Sequence, residues 1–305
     1  MSGAGRSRLG GKGMGAGAWK QESMMILPDT HTHTRWSDGV GEIEANVRRA
    51  AELGLPAIAC TDHMPLQSPP PGLTRPEDAP PGRQTTWHMA WQDLPTYIAD
   101  VERARAAYPQ VEVLVALEFD YWPGVEPVIE ELSRVYPWDL RLGSVHYVGD
   151  FGIDSDEEIP RWERSDPDAV WEAYFALLTE AASSGLFDLI GHADLVKKFG
   201  FLPRRDPGSW YDAFLTAAAA SGVAIELNTA GLRKPCAEIY PGLAFLRAAR
   251  AHGVPIAFGS DAHQASQVAA GFDAAVALAR SAGYEEYVRF RPGRKREVCP
   301  LPTVL

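Results

Sequence analysis

From residue 25 onward the chain repeats one pattern: a short apolar run, a polar cluster, then a longer segment with apolar residues at helical spacing. The apolar runs fall at 25–28, 57–60, 111–117, 140–145, 186–190, 223–227 and 254–258. Each is short, rich in aliphatic and β-branched residues and bounded by Gly, Pro or Asp, which predicts buried strands. Between them, 41–53, 94–108, 125–135, 168–184, 211–220, 242–252 and 266–282 carry helical periodicity. Strands alternating with helices predict an α/β fold with a parallel sheet and helical crossovers. Seven such units suit a closed or nearly closed barrel, although an open doubly wound sheet satisfies the same periodicity.

Two stretches break the rhythm. Residues 65–91 form a Pro-rich connection carrying Trp87, His88 and Trp91, and loops of that length commonly bind or cover ligands. Residues 1–24 are Gly-rich and lack the apolar stretch of a signal peptide, so a disordered extension is expected there. No linker divides the rest, which predicts one domain over 25–305. Three widely spaced cysteines, Cys60, Cys236 and Cys299, form no CxxC pair, which argues against a disulfide framework or zinc ribbon. No apolar run approaches bilayer length, so no membrane partner and a cytoplasmic location are expected. A formal net charge of −11 argues against a nucleic-acid partner. It leaves room for a small anionic substrate, because bound metal ions reverse the local sign.

The polar clusters decide between barrel and open sheet. Asp29-Thr-His31-Thr-His33-Thr follows the first apolar run, and residues two apart on an extended backbone point the same way. One strand thus offers two imidazoles to one ion. Thr61-Asp62-His63, Glu118, His146, His192 and Asp261-Ala-His263 stand at the ends of later runs. Taken singly, each histidine suits a hydrogen-bonded loop residue, and Asp62 and Asp194 suit turn caps. Jointly, six histidines and several carboxylates at the same ends of consecutive parallel strands converge on one rim, where barrel sites lie. His252, before Gly253, suits a helix C-terminus. Imidazole and carboxylate donors without thiolates favour Zn, Mn or Fe(II). The donors outnumber the needs of one tetrahedral ion, so two or three metals sharing a bridging carboxylate are expected.

The ordered set HTHT, TDH, Glu118, SVH, GH and SDAH, from 25 to about 282, resembles the PHP (polymerase and histidinol phosphatase) family. The resemblance implies a distorted (β/α)7 barrel with three divalent metal ions. It places His31, His33, Glu118 and Asp261 on one metal, and Glu118, His146 and His192 on a second. Asp38, His63 and His263 fall on the third; Asp38 in WSDG also suits a helix cap. Asp261 and His263 are the expected catalytic residues. HTHTRWSDG, GSVHYV, GHADLVKKFG and ELNTAGLRKP look most like histidinol-phosphate phosphatases, which implies hydrolysis of L-histidinol phosphate by a metal-bridging hydroxide.

Arg233 and Lys197 are the candidate phosphate-binding cations, each with a solvated surface role as its alternative. Asp120, Tyr121, Trp36 or the Trp87 loop are candidates for the substrate amine and imidazole. Three rival readings stay open: another PHP phosphoesterase with a nucleotide or phosphotyrosine substrate, a metal-dependent amidohydrolase, and a non-catalytic metal-binding protein. A bridging modified Lys would mark the amidohydrolase; Glu118 stands there instead.

Overall fold

The computed structural model describes Met1 and residues 27–65 and 89–302. The expected extension beyond Met1 and the bulk of the Pro-rich connection, 66–88 with Trp87 and His88, lie outside the described residues. The elements are α1 Ile43–Leu53, β1 Ala57–Cys60, α2 Leu94–Ala107, β2 Glu112–Asp120, α3 Glu126–Val135 and β3 Leu140–Ser144. They continue with β4 Tyr147–Val148, β5 Phe151–Gly152, α4 Ile159–Trp162, α5 Pro167–Ser183, β6 Leu189–Ile190 and α6 Gly208–Ser221. The last are β7 Ala224–Asn228, α7 Leu243–Ala251, β8 Ile256–Gly259, α8 Phe272–Ser281, β9 Glu286–Arg291 and β10 Lys295–Pro300.

Six strands form one parallel sheet in the order β1-β2-β3-β6-β7-β8. The first expected strand is not a regular ladder. Its described part, Leu27 and Pro28, makes no bridge; the residues just past it do, Asp29 to Ile58 and Thr32 to Ala262, and so join the two edges of the curled sheet. Asp29 N donates to Ala57 O at 3.1 Å and Thr30 N to Phe258 O at 2.9 Å. The hydroxyls of Thr30 and Thr32 also donate to carbonyls of the flanking strands, Phe258 O and Ala59 O, adding side-chain bonds to the backbone ones.

The helices follow their local signals. α1 buries Ile43, Val47 and Ala50 along one stripe and ends at Gly54, whose φ of 72° admits the left-handed cap. α5 begins at Pro167 behind an Asp166 cap and buries Trp171, Tyr174, Phe175 and Leu178. The expected helix over 266–282 starts late: a 3-10 turn at Ala265–Gln267 precedes it, and Gly271 takes a φ of 82° before α8.

Strand parity builds the interior. Leu114, Ala116, Leu140, Leu142, Leu189, Ala224 and Ala257 form a small apolar cluster. The larger cluster, with Ile58, Val113, Val115, Leu117, Ile190 and Ile225, packs with the helices. Glu118 lies two residues past Ala116, and Glu226 two past Ala224, so these carboxylates extend the inner face toward the strand C-termini.

At the other end, Val288 and Phe290 of the antiparallel β9–β10 hairpin join the inner cluster. Arg294 donates to both Asp188 carboxylate oxygens, Arg289 to Pro56 O, and Gly293 N to Asp139. These partners precede β6, β1 and β3, so the hairpin covers the strand N-termini. Neither it nor the β4–β5 hairpin and α4 is expected from the apolar runs. Among the described residues no helix is long and apolar enough to cross a membrane.

Candidate metal centre

Extended backbone around Thr32 sends His31 and His33 to the same side. Their Nε2 atoms face each other at 2.9 Å, while His31 Nδ1 is turned away, 2.9 Å from Glu226 Oε1. Both Nε2 atoms approach Glu118 Oε2, at 3.4 and 3.5 Å, and Asp261 Oδ1, at 3.8 and 3.4 Å. The other Glu118 oxygen, Oε1, faces His192 Nε2 at 3.0 Å and His146 Nε2 at 3.5 Å. A third group gathers at the rim: Asp38 lies 2.9 Å from His263 Nε2, 3.4 Å from His33 Nδ1 and 3.7 Å from His63 Nε2. His63 Nδ1 stands 3.1 Å from Glu118 Oε2.

The donors fit divalent metals. Metal–nitrogen bonds of about 2.0–2.1 Å place tetrahedral donors roughly 3.3 Å apart, and the spacings above bracket that value. Two imidazole nitrogens pointing at each other in a dry site need a shared cation or proton between them. One carboxylate whose oxygens serve different imidazole pairs has the form of a bridge between two ions. Several overlapping groups of His, Asp and Glu converge within 4.8 Å, among them His31/His33/Glu118, His31/His192/Asp261 and His33/Asp38/His63. The site is therefore suited to several metal ions.

Burial and neighbouring charges pull against each other at these groups. Burial opposes charging Glu118, yet His31, His63 and His146 hold its carboxyl well below the usual range. Burial also opposes charging His31, but Glu226, Glu118 and Asp261 push it well above the ordinary imidazole value. His63 is raised to about 10, with Glu118 and Asp38 outweighing burial, and His146 to about 9 by Asp120 and Glu118 against burial. His33 moves the other way: burial and the neighbouring His263 lower it. Asp38 and Asp261 are lowered by their histidines despite burial.

A second layer of side chains orients the donors. Glu226, fully buried, also accepts from His192 N at 2.9 Å and Asn228 Nδ2 at 3.0 Å. Asp120 pairs with His146 Nδ1. Asp62 accepts from Thr34 N, Thr34 Oγ1 and Ser37 Oγ, fixing the loop that carries Asp38. Asp29 accepts from Ser260 N, Ser260 Oγ and Ala269 N; burial pushes its carboxyl up to about 6 against those bonds. Two donors sit on left-handed backbone, His192 at φ 22° and Asp261 at φ 50°, a conformation costly outside glycine. Gly259 is required by closeness: a Cβ there would lie 1.8 Å from Glu226 Oε1 and 2.8 Å from His31 Cβ.

All nine expected donors, His31, His33, Asp38, His63, Glu118, His146, His192, Asp261 and His263, meet in this one site. Neither expected phosphate cation is among the residues lining the mouth above the donors. Lys197 is buried and bonded to Asp194 at 2.9 Å, Glu238 at 3.1 Å and Ile239 O at 2.9 Å. Arg233 donates through one nitrogen, Nη2, to the carbonyls of Ser260 and Asp261, at 2.8 and 3.2 Å. Lys197 is thus committed to protein acceptors that a cation in sequence does not reveal. Tyr121 donates to Glu126 and Trp36 to Asp100, and neither is among the residues lining the mouth. The mouth above the donors is instead lined by Asp154, Leu195, Lys198, Ala230, Lys234 and Tyr240. His252 closes α7 as expected and pairs with Asp212 at 3.0 Å.

Comparison with known proteins agrees with this geometry. The PHP domain model matches residues 29–230. A Deinococcus radiodurans protein named "Probable histidinol-phosphatase" is 39% identical over 263 residues, covering 85% of this chain and 95% of its own. The histidinol-phosphatase of Bacillus subtilis is 29% identical over 267 residues, covering 81% and 97%. In fold, the chain matches the Lactococcus lactis histidinol phosphate phosphatase, solved with Zn, L-histidinol and phosphate. The TM-score is 0.71 at 21% identity, over 89% of this chain and 98% of that one. With donors, fold and sequence in agreement, this chain belongs to the PHP family.

Proposed function

We propose that the chain is a metal-dependent phosphomonoesterase that hydrolyses L-histidinol phosphate to L-histidinol and phosphate. The observation that carries the reading is Glu118, whose Oε2 faces His31, His33 and His63 while Oε1 faces His146 and His192, the form of a bridge between adjoining cation positions. The substrate comes from the 39% identical relative and its name. His31, His33, Glu118 and Asp261 would hold one ion; Glu118, His146 and His192 a second; Asp38, His63 and His263 a third. When bound, such ions supply Lewis acidity toward phosphoryl oxygens and lower the pKa of water.

The chain's own groups set the geometry. Glu226 and Asp120 fix the rings of His31 and His146 by holding their Nδ1 atoms. Arg233 and Asn228 fix Asp261, the first through its carbonyl and the second through its carboxylate at 3.3 Å. His263 Nδ1 lies 3.0 Å from Asp261 O, which aims Nε2 at Asp38. Asp261 and His263 thus act as one coupled unit at the rim. The described residues present no Ser/His/Asp arrangement at the mouth that would supply a protein nucleophile. A small cytoplasmic metabolite rather than nucleic acid suits the net charge of −11.

The test is phosphate release from L-histidinol phosphate beside p-nitrophenyl phosphate, a nucleoside monophosphate and a phosphotyrosine peptide. Preference for L-histidinol phosphate, abolished by chelation, is the expected result. Metal-loaded protein that cleaves one of the other esters and ignores L-histidinol phosphate would overturn the substrate while keeping the metal centre.

A further inference from the structure

The β6 and β7 loops each carry two adjacent cations, Lys197-Lys198 and Arg233-Lys234. In each pair the first member bonds to the protein and is not among the residues lining the mouth. Lys197 ties Asp194 to Glu238 and Ile239 O, and Arg233 Nη2 holds the β7 loop to the carbonyls of Ser260 and Asp261. The second member of each pair lines the mouth over the candidate ligands. The loops are joined by Cys236 N donating to Lys198 O at 3.0 Å, which sets the two lysines on one wall. Lys198 donates to the main-chain O of Asp154 and lies 3.6 Å from its carboxylate. An ammonium has three donors, so Lys198 is held in place with capacity left for a ligand. Lys234 has no ion-pair partner among the described residues.

We propose that Lys198 and Lys234, not Arg233 and Lys197, are the protein cations that grip the phosphoryl group of the substrate. The inference rests on the phosphomonoester reading above. Its logic is charge: in a substrate carrying phosphate, ammonium and imidazole, only the phosphate is anionic. Two ammonium groups on one wall attract that end and repel the other two. They also set orientation, because the phosphoryl end must face the nine donors beneath them. A Lys acts here as a point charge, compatible with a tetrahedral dianion that turns over.

The experiment uses the metal-loaded full chain and its Lys198→Met, Lys234→Met, double Met and Lys234→Arg variants. Dissociation constants for inorganic phosphate are measured by calorimetry. Inhibition constants for phosphate and for L-histidinol are measured against p-nitrophenyl phosphate turnover, with metal content determined on each sample. Each Met variant should weaken phosphate about tenfold, as for loss of one charge-assisted hydrogen bond. The double variant should weaken it further, Lys234→Arg should retain most of the affinity, and the L-histidinol constant should stay within twofold. Phosphate binding within twofold of the parent in either Met variant overturns the paired grip. So does an equal loss for L-histidinol. A parent that turns over other esters but not L-histidinol phosphate sinks the substrate reading, while a tenfold phosphate loss in the variants still upholds the two lysines.

Discussion

Replacing Glu226 with Gln tests whether the second layer of side chains holds the metal donors. The residue is fully buried, with Oε1 2.9 Å from His31 Nδ1 and Oε2 2.9 Å from His192 N and 3.0 Å from Asn228 Nδ2. Gln preserves the volume, so no cavity opens. A carboxylate accepts through both oxygens, whereas an amide accepts through one and donates through the other. Whichever way the amide turns, it meets a donor with a donor, either at His31 or at the His192–Asn228 pair. One hydrogen bond to a charged group, about 1.5–3 kcal/mol, is lost on that side. That corresponds to roughly 10–100-fold in affinity, the usual range for removal of a residue that orients a metal-bound histidine. The assay is competition for Zn against a chromophoric chelator, with metal stoichiometry determined separately and folding checked by circular dichroism. A folded Glu226→Gln protein that binds its full metal complement with affinity within twofold of the parent would refute the reasoning.

Gly259→Ala should disrupt the same contact sterically, since its Cβ would lie 1.8 Å from Glu226 Oε1; metal content and phosphatase activity should both fall at least about tenfold, and unchanged metal content contradicts this. Phe290→Ala empties the plug of the inner cluster and should cost about 3–5 kcal/mol in urea unfolding; a loss under about 1 kcal/mol would show that the hairpin is dispensable. Lys197→Met leaves Asp194, only 3% exposed, without its cation, and should cost about 3 kcal/mol, read by the same titration; stability equal to the parent would remove Lys197 from the framework.

The donors were legible in the sequence because their signal is local. His31 and His33 share one side of an extended segment by parity alone, and His63, Glu118, His146, His192 and Asp261 each follow an apolar run. Parallel strands then bring those run ends to one rim without further information. Glu226 was harder to assign: it lies within β7, and only the inner face of the sheet shows that it reaches His31 and His192. The phosphate cations are harder to read for a related reason. Lys197 and Lys198 are chemically identical neighbours, and what separates them is the buried Asp194 on one side and the mouth on the other.

In the fold, strand periodicity located the six ladder strands but placed their ends a few residues out. For the first strand it missed that the bridges fall at Asp29 and Thr32, just past the apolar run, with threonine hydroxyls adding bonds to the flanking carbonyls. The β9–β10 hairpin has short, mixed charge and apolar patterning, with Val288 and Phe290 inward and arginines on the strand N-termini. Its role depends on a cavity that exists only once the sheet has curled.

The central claim is tested most directly by steady-state phosphate release from L-histidinol phosphate, measured on protein of known metal content before chelation, after chelation and after remetallation. The account predicts turnover that disappears with the metals, returns with them, and exceeds that of the other phosphate esters. Turnover that persists in metal-free protein, or fully metallated protein inert toward L-histidinol phosphate, would contradict it.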